Sequence, residues 1–274
     1  MIEIRDLTSL PINIFEETIV YNQHAAAPFA WTETFLELIN QEPNALLFHI
    51  WPMEKTVILG MLDKLLPNLE DAKKVIKGYG YKPVVRNIGG LAVVADEGVL
   101  NFSFIIPDTF RESISITNGY LLMIDFIKMA FSDLHKRIDY FEIEQSYCPG
   151  NYDLSIDGKK FAGIAQRRIK KGIVVSIYLS VSGNQIKRGQ MIADFYQKGL
   201  AGQTSKIAYP NVEPSTMANL SDLFNVSLTV DEVILRLKLT LRQIGFSIKD
   251  WEPNEKHREQ FHHNYDKLVK NNKN

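Results

Sequence analysis

Apolar residues along this chain switch several times between helical and strand periods, and the switches predict a mixed α and β order. Trp31, Phe35 and Leu38 share one face of a helix over Trp31 to Ile39. Ala45 to Trp51 (ALLFHIW) and Thr56 to Leu59 (TVIL) are apolar runs of strand length, and Asn68 to Gly78 reads as a helix that stops at its glycine. Three short β segments follow, Pro83 to Arg86, Leu91 to Val94 and Leu100 to Ile106. They flank the Gly89-Gly90 pair and an Asp96-Glu97-Gly98 turn. Ser115 to Lys136 carries Leu121, Ile124, Phe126, Ile127, Met129, Ala130 and Leu134, a broad apolar face that predicts a long core helix.

Farther on, Asp139 to Glu142 and Tyr152 to Ile156 read as strands. Asp157-Gly158 is a two-residue hairpin signal leading into a strand from Lys160 to Arg168. Lys170-Lys171-Gly172 turns into Ile173 to Val181, a β run, and Gln185 to Gly199 reads as a helix. Thr229 to Gly245 is amphipathic and opens on a capping box, in which Thr229 caps the Glu232 amide and Glu232 reaches back. Residues 1–28 read as an irregular lead-in, 29–248 as one domain, and 249–274 as a polar tail. Sparse Phe261, Tyr265 and Leu268 make that tail a weak helix or a frayed end. The order predicts an α+β fold, a mixed β-sheet with flanking helices.

Composition narrows the function classes. At 274 residues, 45% hydrophobic and 23% charged, the chain has the make-up of an ordinary soluble domain. A formal net charge of −1 argues against broad electrostatic binding to nucleic acid or membrane. One cysteine excludes an intramolecular disulfide, so the fold does not rely on an oxidising compartment. No window has the length and apolarity of a membrane span, and MIEIRDLTSLPINIF has no basic n-region. A cytoplasmic protein is expected.

That cysteine, Cys148, stands in Tyr-Cys-Pro-Gly-Asn, which is loop chemistry rather than core-strand chemistry. A lone intracellular cysteine is most often a small buried hydrophobe. A free thiol near pKa 8.5 is only about 3% thiolate at pH 7, so a nucleophile here needs a nearby cation. Lys160 follows across the hairpin. Strict alternation turns Lys159 and Lys160 to opposite faces, and puts Lys160 beside Ala162 and Gly163, where it could enter a confined pocket. There it could lower the cysteine pKa and protonate a leaving amine, although most strand lysines are solvated stems. Gly89-Gly90, most often a plain turn, could expose amides to an oxyanion with Arg86 beside them. Arg167, Arg168, Lys170 and Lys171 form a basic cluster, either a solvated hairpin tip or a docking patch for an acidic protein partner. The six histidines show no ligand spacing and HExxH and CxxC are absent, so no metal and no cofactor are expected.

Three segments resemble a known family. RNIGGLAVVADEGVLN resembles the Arg-x-x-Gly-Gly…Asp-x-Gly-x-x-Asn motif of the lipoate–protein ligase/octanoyltransferase superfamily, at Arg86, Gly89, Gly90, Asp96, Gly98 and Asn101. GKKFAGIAQRR resembles its Gly-x-Lys-x-(Ala/Ser)-Gly-x-x-x-Arg strand, which places the family lysine at Lys160. SYCPGNYDLSI resembles the nucleophile loop of its amidotransferase branch, with Cys148 as the nucleophile. The resemblance covers roughly residues 30–245.

It implies a biotin/lipoate-protein-ligase-like acyltransferase domain, a catalytic Cys148–Lys160 pair, and substrate contacts at Arg86, Gly89, Gly90, Asp96, Asn101, Asp153 and Gly163. The implied reaction moves an octanoyl or lipoyl group from a lysine of the glycine-cleavage H protein. The acceptor is a lipoyl-domain lysine of a 2-oxoacid dehydrogenase acyltransferase subunit, and the carrier is a thioester on Cys148. Ligases commonly have His-Asp where this chain has Ala95-Asp96, and Arg-Arg where it has Arg86-Asn87, which weakens an adenylating reading. An octanoyltransferase using octanoyl-acyl-carrier-protein, an ATP-dependent lipoate ligase, and a non-catalytic binding module remain alternatives.

Overall fold

The structure is a computed structural model and describes residues 2–110 and 112–273. Met1 and Asn274, the ends of the expected lead-in and tail, lie outside the described residues. In chain order the strands are β1 (Ile12–Glu16), β2 (Leu46–Ile50), β3 (Thr56–Leu59), β4 (Lys82–Val85), β5 (Val93–Ala95), β6 (Val99–Pro107), β7 (Asp139–Tyr140), β8 (Leu154–Ile156), β9 (Lys159–Ile169), β10 (Gly172–Ser180) and β11 (Ile248–Asp250). The helices are α1 (Ala27–Gln41), α2 (Leu69–Gly78), α3 (Ile116–Ala130), α4 (Gln185–Leu200), α5 (Leu220–Phe224), α6 (Val230–Ile244) and α7 (Glu255–Lys273).

Eight strands form one sheet in the order β11-β1-β2-β6-β10-β9-β8-β7, and β4-β3-β5 form a smaller one. The β11–β1–β2 pairs are parallel, and the pairs from β2 to β7 are antiparallel. Every residue of the central strand β6 is buried, because both faces are covered. Strand alternation divides those residues between two jobs. Leu100, Phe102, Phe104 and Ile106 pack with Leu122, Phe126 and Ile127 of α3 in the main core. Val99 and Ile105 point the other way, into the apolar clusters under α1, α2 and α4, and Asn101 shares their face.

Several elements run as the pattern predicts. Asp157 and Gly158 both take positive φ, 52° and 75°, in the turn between β8 and β9. The Thr229–Glu232 capping box is formed, with both reciprocal bonds present. Two elements differ from expectation, and the tail takes the helical one of its two readings. The lead-in is not irregular: β1 pairs with β2 on one side and with β11 on the other, so the sheet runs through it. The tail is not frayed: α7 lies on α1, with Phe261 stacked on Trp31 at 4.4 Å between ring centroids. Asn264 Nδ2 donates to Thr34 Oγ1 at 3.2 Å, and Asn272 exchanges bonds with the Val85 backbone, giving a weakly apolar helix tertiary support. The long helix ends at Ala130, where a short 3₁₀ turn from Ser132 to Leu134 replaces the last predicted turns.

Candidate active site

Cys148 sits on the loop between β7 and β8 and takes φ +49°, in the left-handed region where a residue with a Cβ carries strain. The loop is held from below by Lys160. As alternation requires, Lys159 is exposed and Lys160 is buried, with 1% of its surface accessible. Its Nζ donates to Ser146 Oγ at 3.0 Å, to the Tyr147 carbonyl at 2.9 Å and to the Cys148 carbonyl at 2.8 Å. It also pairs with Asp153 Oδ2 at 2.9 Å. Burial pushes the Asp153 carboxyl up, and the Lys160 charge only partly offsets this. Tyr147 is fully buried and donates nothing to solvent; its hydroxyl accepts from Gln185 Nε2 at 3.1 Å.

The sulfur meets different groups. Leu91 N–H donates to Sγ at 3.1 Å, and Arg86 Nη2 lies 3.8 Å from it while donating to the Leu91 carbonyl at 3.0 Å. Gly90 has φ +99°, and a Cβ there would fall 3.0 Å from Sγ and 2.7 Å from Arg86 Nη2. The cation and the backbone donor at the thiol are therefore Arg86 and Leu91, whereas Lys160 acts on the main chain of the cysteine. Sequence reasoning gave the amides of this segment to an oxyanion; one of them is on the sulfur.

A cavity of about 210 Å³ opens at the sulfur. Phe29, Trp51, Ile58, Val93, Ile164 and Tyr178 give it an apolar wall, and Arg86, Gly89, Gly90, Asn101, Asp153 and Gly163 line it as well. An engineered cavity of about 150 Å³ already holds benzene, so this one has room for a medium-length acyl chain. Gly163 pairs with Tyr178 across β9 and β10, and a Cβ on it would lie 2.7 Å from the Tyr178 ring. Arg86 Nε and Asn101 Nδ2 are buried without a hydrogen-bond partner among the described residues.

Two groups of expected residues stand apart from this cavity. Asp96 pairs with Arg188 Nη2 at 2.5 Å and accepts from the Tyr81 hydroxyl at 2.7 Å. Burial opposes ionisation there, but the Arg188 guanidinium overrides it and holds the carboxyl below its ordinary value. Asp96 thus ties the turn before β6 to α4 rather than lining the cavity. Arg167 pairs with Glu33 at 3.0 Å and donates to the Asn87 carbonyl. Arg168 donates to the carbonyls of Ile114 at 2.6 Å and Ser115 at 2.8 Å. Alternation along β9 sends one arginine to α1 and the other to the start of α3, so only Lys170 and Lys171 of the basic cluster are exposed.

Sequence reasoning missed Ser146, Tyr147 and Tyr178. Tyr178 was legible in IVVSIYLS, where alternation puts it on one face with Ser176, which also lines the cavity. The roles of Ser146 and Tyr147 depend on the loop geometry and left no pattern.

The cavity beside Cys148 has the size and apolar lining that a medium-length acyl chain needs, and comparison with known proteins supplies the class. Residues 24–242 match the lipoyl protein ligase A/B catalytic domain. The chain is 41% identical over 234 residues to Octanoyl-[GcvH]:protein N-octanoyltransferase of Lysinibacillus sphaericus, covering 85% of this chain and 81% of that one. It is 42% identical over 222 residues to Lipoyl-[GcvH]:protein N-lipoyltransferase of Listeria monocytogenes, covering 81% and 80%. Its fold is similar to that of a bi-partite lipoate protein ligase from Thermoplasma acidophilum, with TM-score 0.68, 18% identity, and coverage of 94% and 92%. The chain belongs to the lipoyl protein ligase A/B catalytic domain family. No helix among the described residues is long and apolar enough to cross a membrane.

Proposed function

We propose that this acyltransferase moves an octanoyl or lipoyl group from a lysine of the glycine-cleavage H protein to a lipoyl-domain lysine of a 2-oxoacid dehydrogenase acyltransferase subunit. The observation that carries this reading is the Cys148 sulfur, held by the Leu91 amide at the mouth of the apolar cavity with Arg86 alongside. The names of the relatives supply the carrier protein and the acyl groups.

In the first half-reaction the sulfur attacks the donor amide carbon. The C–N bond breaks, a C–S bond forms, and the proton lost by the thiol ends on the departing lysine amine. In the second, the acceptor amine attacks the thioester, the C–S bond breaks, and the amine proton returns to sulfur. Amide replaces amide, so no ATP is consumed. The buried Lys160–Asp153 pair, reaching the cavity through Asp153, is the group that passes the proton. Lys160 also keeps the cysteine main chain in its strained geometry. The acyl carbonyl oxygen is the acceptor that suits the unpartnered Arg86 Nε and Asn101 Nδ2.

Seven carbons beyond the carbonyl contribute at most about 5–6 kcal/mol, at ~0.8 kcal/mol per buried CH₂. That alone corresponds to sub-millimolar affinity at best, so contacts between the two proteins must supply much of the selectivity.

Intact mass after incubation with octanoylated H protein, without ATP, tests the proposal. A hydroxylamine-labile octanoyl adduct on the wild type and none on Cys148→Ala is expected. If neither is modified, transfer of the octanoyl group to an apo lipoyl domain decides. Transfer from octanoylated H protein keeps the proposal, and transfer only from ATP with free octanoate or lipoate makes the chain a ligase. Transfer only from octanoyl-acyl-carrier-protein makes it an octanoyltransferase of that type, and none from any donor makes it a binding module.

A further inference from the structure

The amide that meets the Cys148 sulfur is itself held from behind. The peptide plane joining Leu91 to Ala92 is pinned at both ends: its carbonyl accepts from Arg86 Nη2 at 3.0 Å, and its N–H donates to the Tyr196 hydroxyl at 3.0 Å. That hydroxyl donates to Asp63 Oδ1 at 2.9 Å, and Asp63 Oδ2 accepts from Gly60 N–H at 2.7 Å. The preceding plane, which carries the Leu91 N–H, rests on the same support. Gly60 approaches it so closely that a Cβ there would fall 1.8 Å from the Gly90 carbonyl oxygen.

Asp63 is fully buried and Tyr196 is 2% exposed. A buried carboxylate is costly, and a chain that needed only packing here would do as well with apolar residues. A phenylalanine would fill the volume of Tyr196 between Phe195 and Tyr209. What the tyrosine adds is its hydroxyl, and both hydrogen bonds of that hydroxyl belong to the chain leading to the sulfur. We infer that Tyr196 and Asp63 are positioning residues, which set the Leu91 amide against the Cys148 sulfur and so raise its reactivity. The inference rests on the reading of Cys148 as the nucleophile.

The test uses Tyr196→Phe and Asp63→Asn in the full chain. Three quantities are read: the rate of Cys148 alkylation by iodoacetamide at pH 7.5, the melting temperature, and kcat and KM with octanoylated H protein. One hydrogen bond of ordinary strength corresponds to about a fivefold change. Tyr196→Phe is expected to alkylate about fivefold more slowly and to lose a similar factor in kcat, with KM unchanged. A merely structural role would lower the melting temperature and leave alkylation of the folded protein as it was. Wild-type alkylation and kcat in a folded Tyr196→Phe protein would overturn the inference. Asp63→Asn should follow the same direction, and if it does not fold, Tyr196→Phe decides alone. Alkylation needs no acyl donor, so a wild type without turnover would sink the proposed function and still leave the positioning role decided.

Discussion

Lys160 reaches Cys148 through the backbone, with Nζ 2.8 Å from the cysteine carbonyl oxygen. Its other partners are Asp153, Ser146 and the Tyr147 carbonyl, all of them acceptors. The lysine is therefore the keystone of the loop that carries the cysteine.

Replacing Lys160 alone strands a buried carboxylate. Lys160→Met is expected to lose about 3–5 kcal/mol of stability, the range for breaking a buried ion pair from one side. Lys160→Met combined with Asp153→Asn should recover part of that loss, because the stranded charge is gone, and should remain inactive. Urea unfolding measured beside turnover checks both halves. Full activity in the stable double variant would remove the pair from the chemistry.

Gly90 serves the sulfur by lacking a side chain. At φ +99° an alanine is strained, by about 1–3 kcal/mol, and its Cβ would press on Sγ and on Arg86. Gly90→Ala should slow iodoacetamide labelling of Cys148 several-fold while the protein still folds. Gly80 also has positive φ, +85°, but nothing lies within 4 Å of an added Cβ. Gly80→Ala is the control: a similar strain and no change in labelling.

The basic cluster is reduced to Lys170 and Lys171 at the β9–β10 turn. Lys170→Glu with Lys171→Glu should raise KM for the carrier proteins and leave a small octanoyl thioester unaffected, if this turn docks the acidic partner. An unchanged KM takes the turn out of carrier recognition. Arg167→Ala tests the other half of the cluster. It breaks the Glu33 pair between β9 and α1, so its main effect should appear in the melting temperature.

What could be read from the sequence was local. Alternation through Lys159 and Lys160 placed the lysine inside, and the Asp157-Gly158 turn and the Thr229 capping box are short-range chemistry. The strand β1 was missed because it is five residues long and one of its partners, β11, lies more than 230 positions away. The helix α7 carried a sparse stripe of Phe261, Tyr265 and Leu268, too polar to predict firm packing until Trp31 is seen beneath it. Asp96 matched a motif, yet its role is set by Arg188 on a distant helix. The motif located residues around the cavity, and long-range pairing decided which of them face it.

Asp63 makes a pH prediction with a definite sign. Burial pushes its carboxyl up to about 6, against the opposing bonds from the Gly60 amide and the Tyr196 hydroxyl and the charge of Arg86. The ordinary value, near 3.9, applies to the unfolded chain. Between the two the folded protein holds a proton that the unfolded chain has lost. The contribution to stability is therefore fully present below about pH 4 and is lost as pH rises through 6. Two pH units correspond to about 3 kcal/mol. Urea unfolding of the wild type and Asp63→Asn across pH 4–7.5 isolates the effect, because the other titrating groups are common to both. The stability of the wild type relative to the variant should fall by that amount as pH rises and level off above 7. A flat difference would mean that Asp63 titrates alike in both states, and that its carboxylate is not confined as the structure has it.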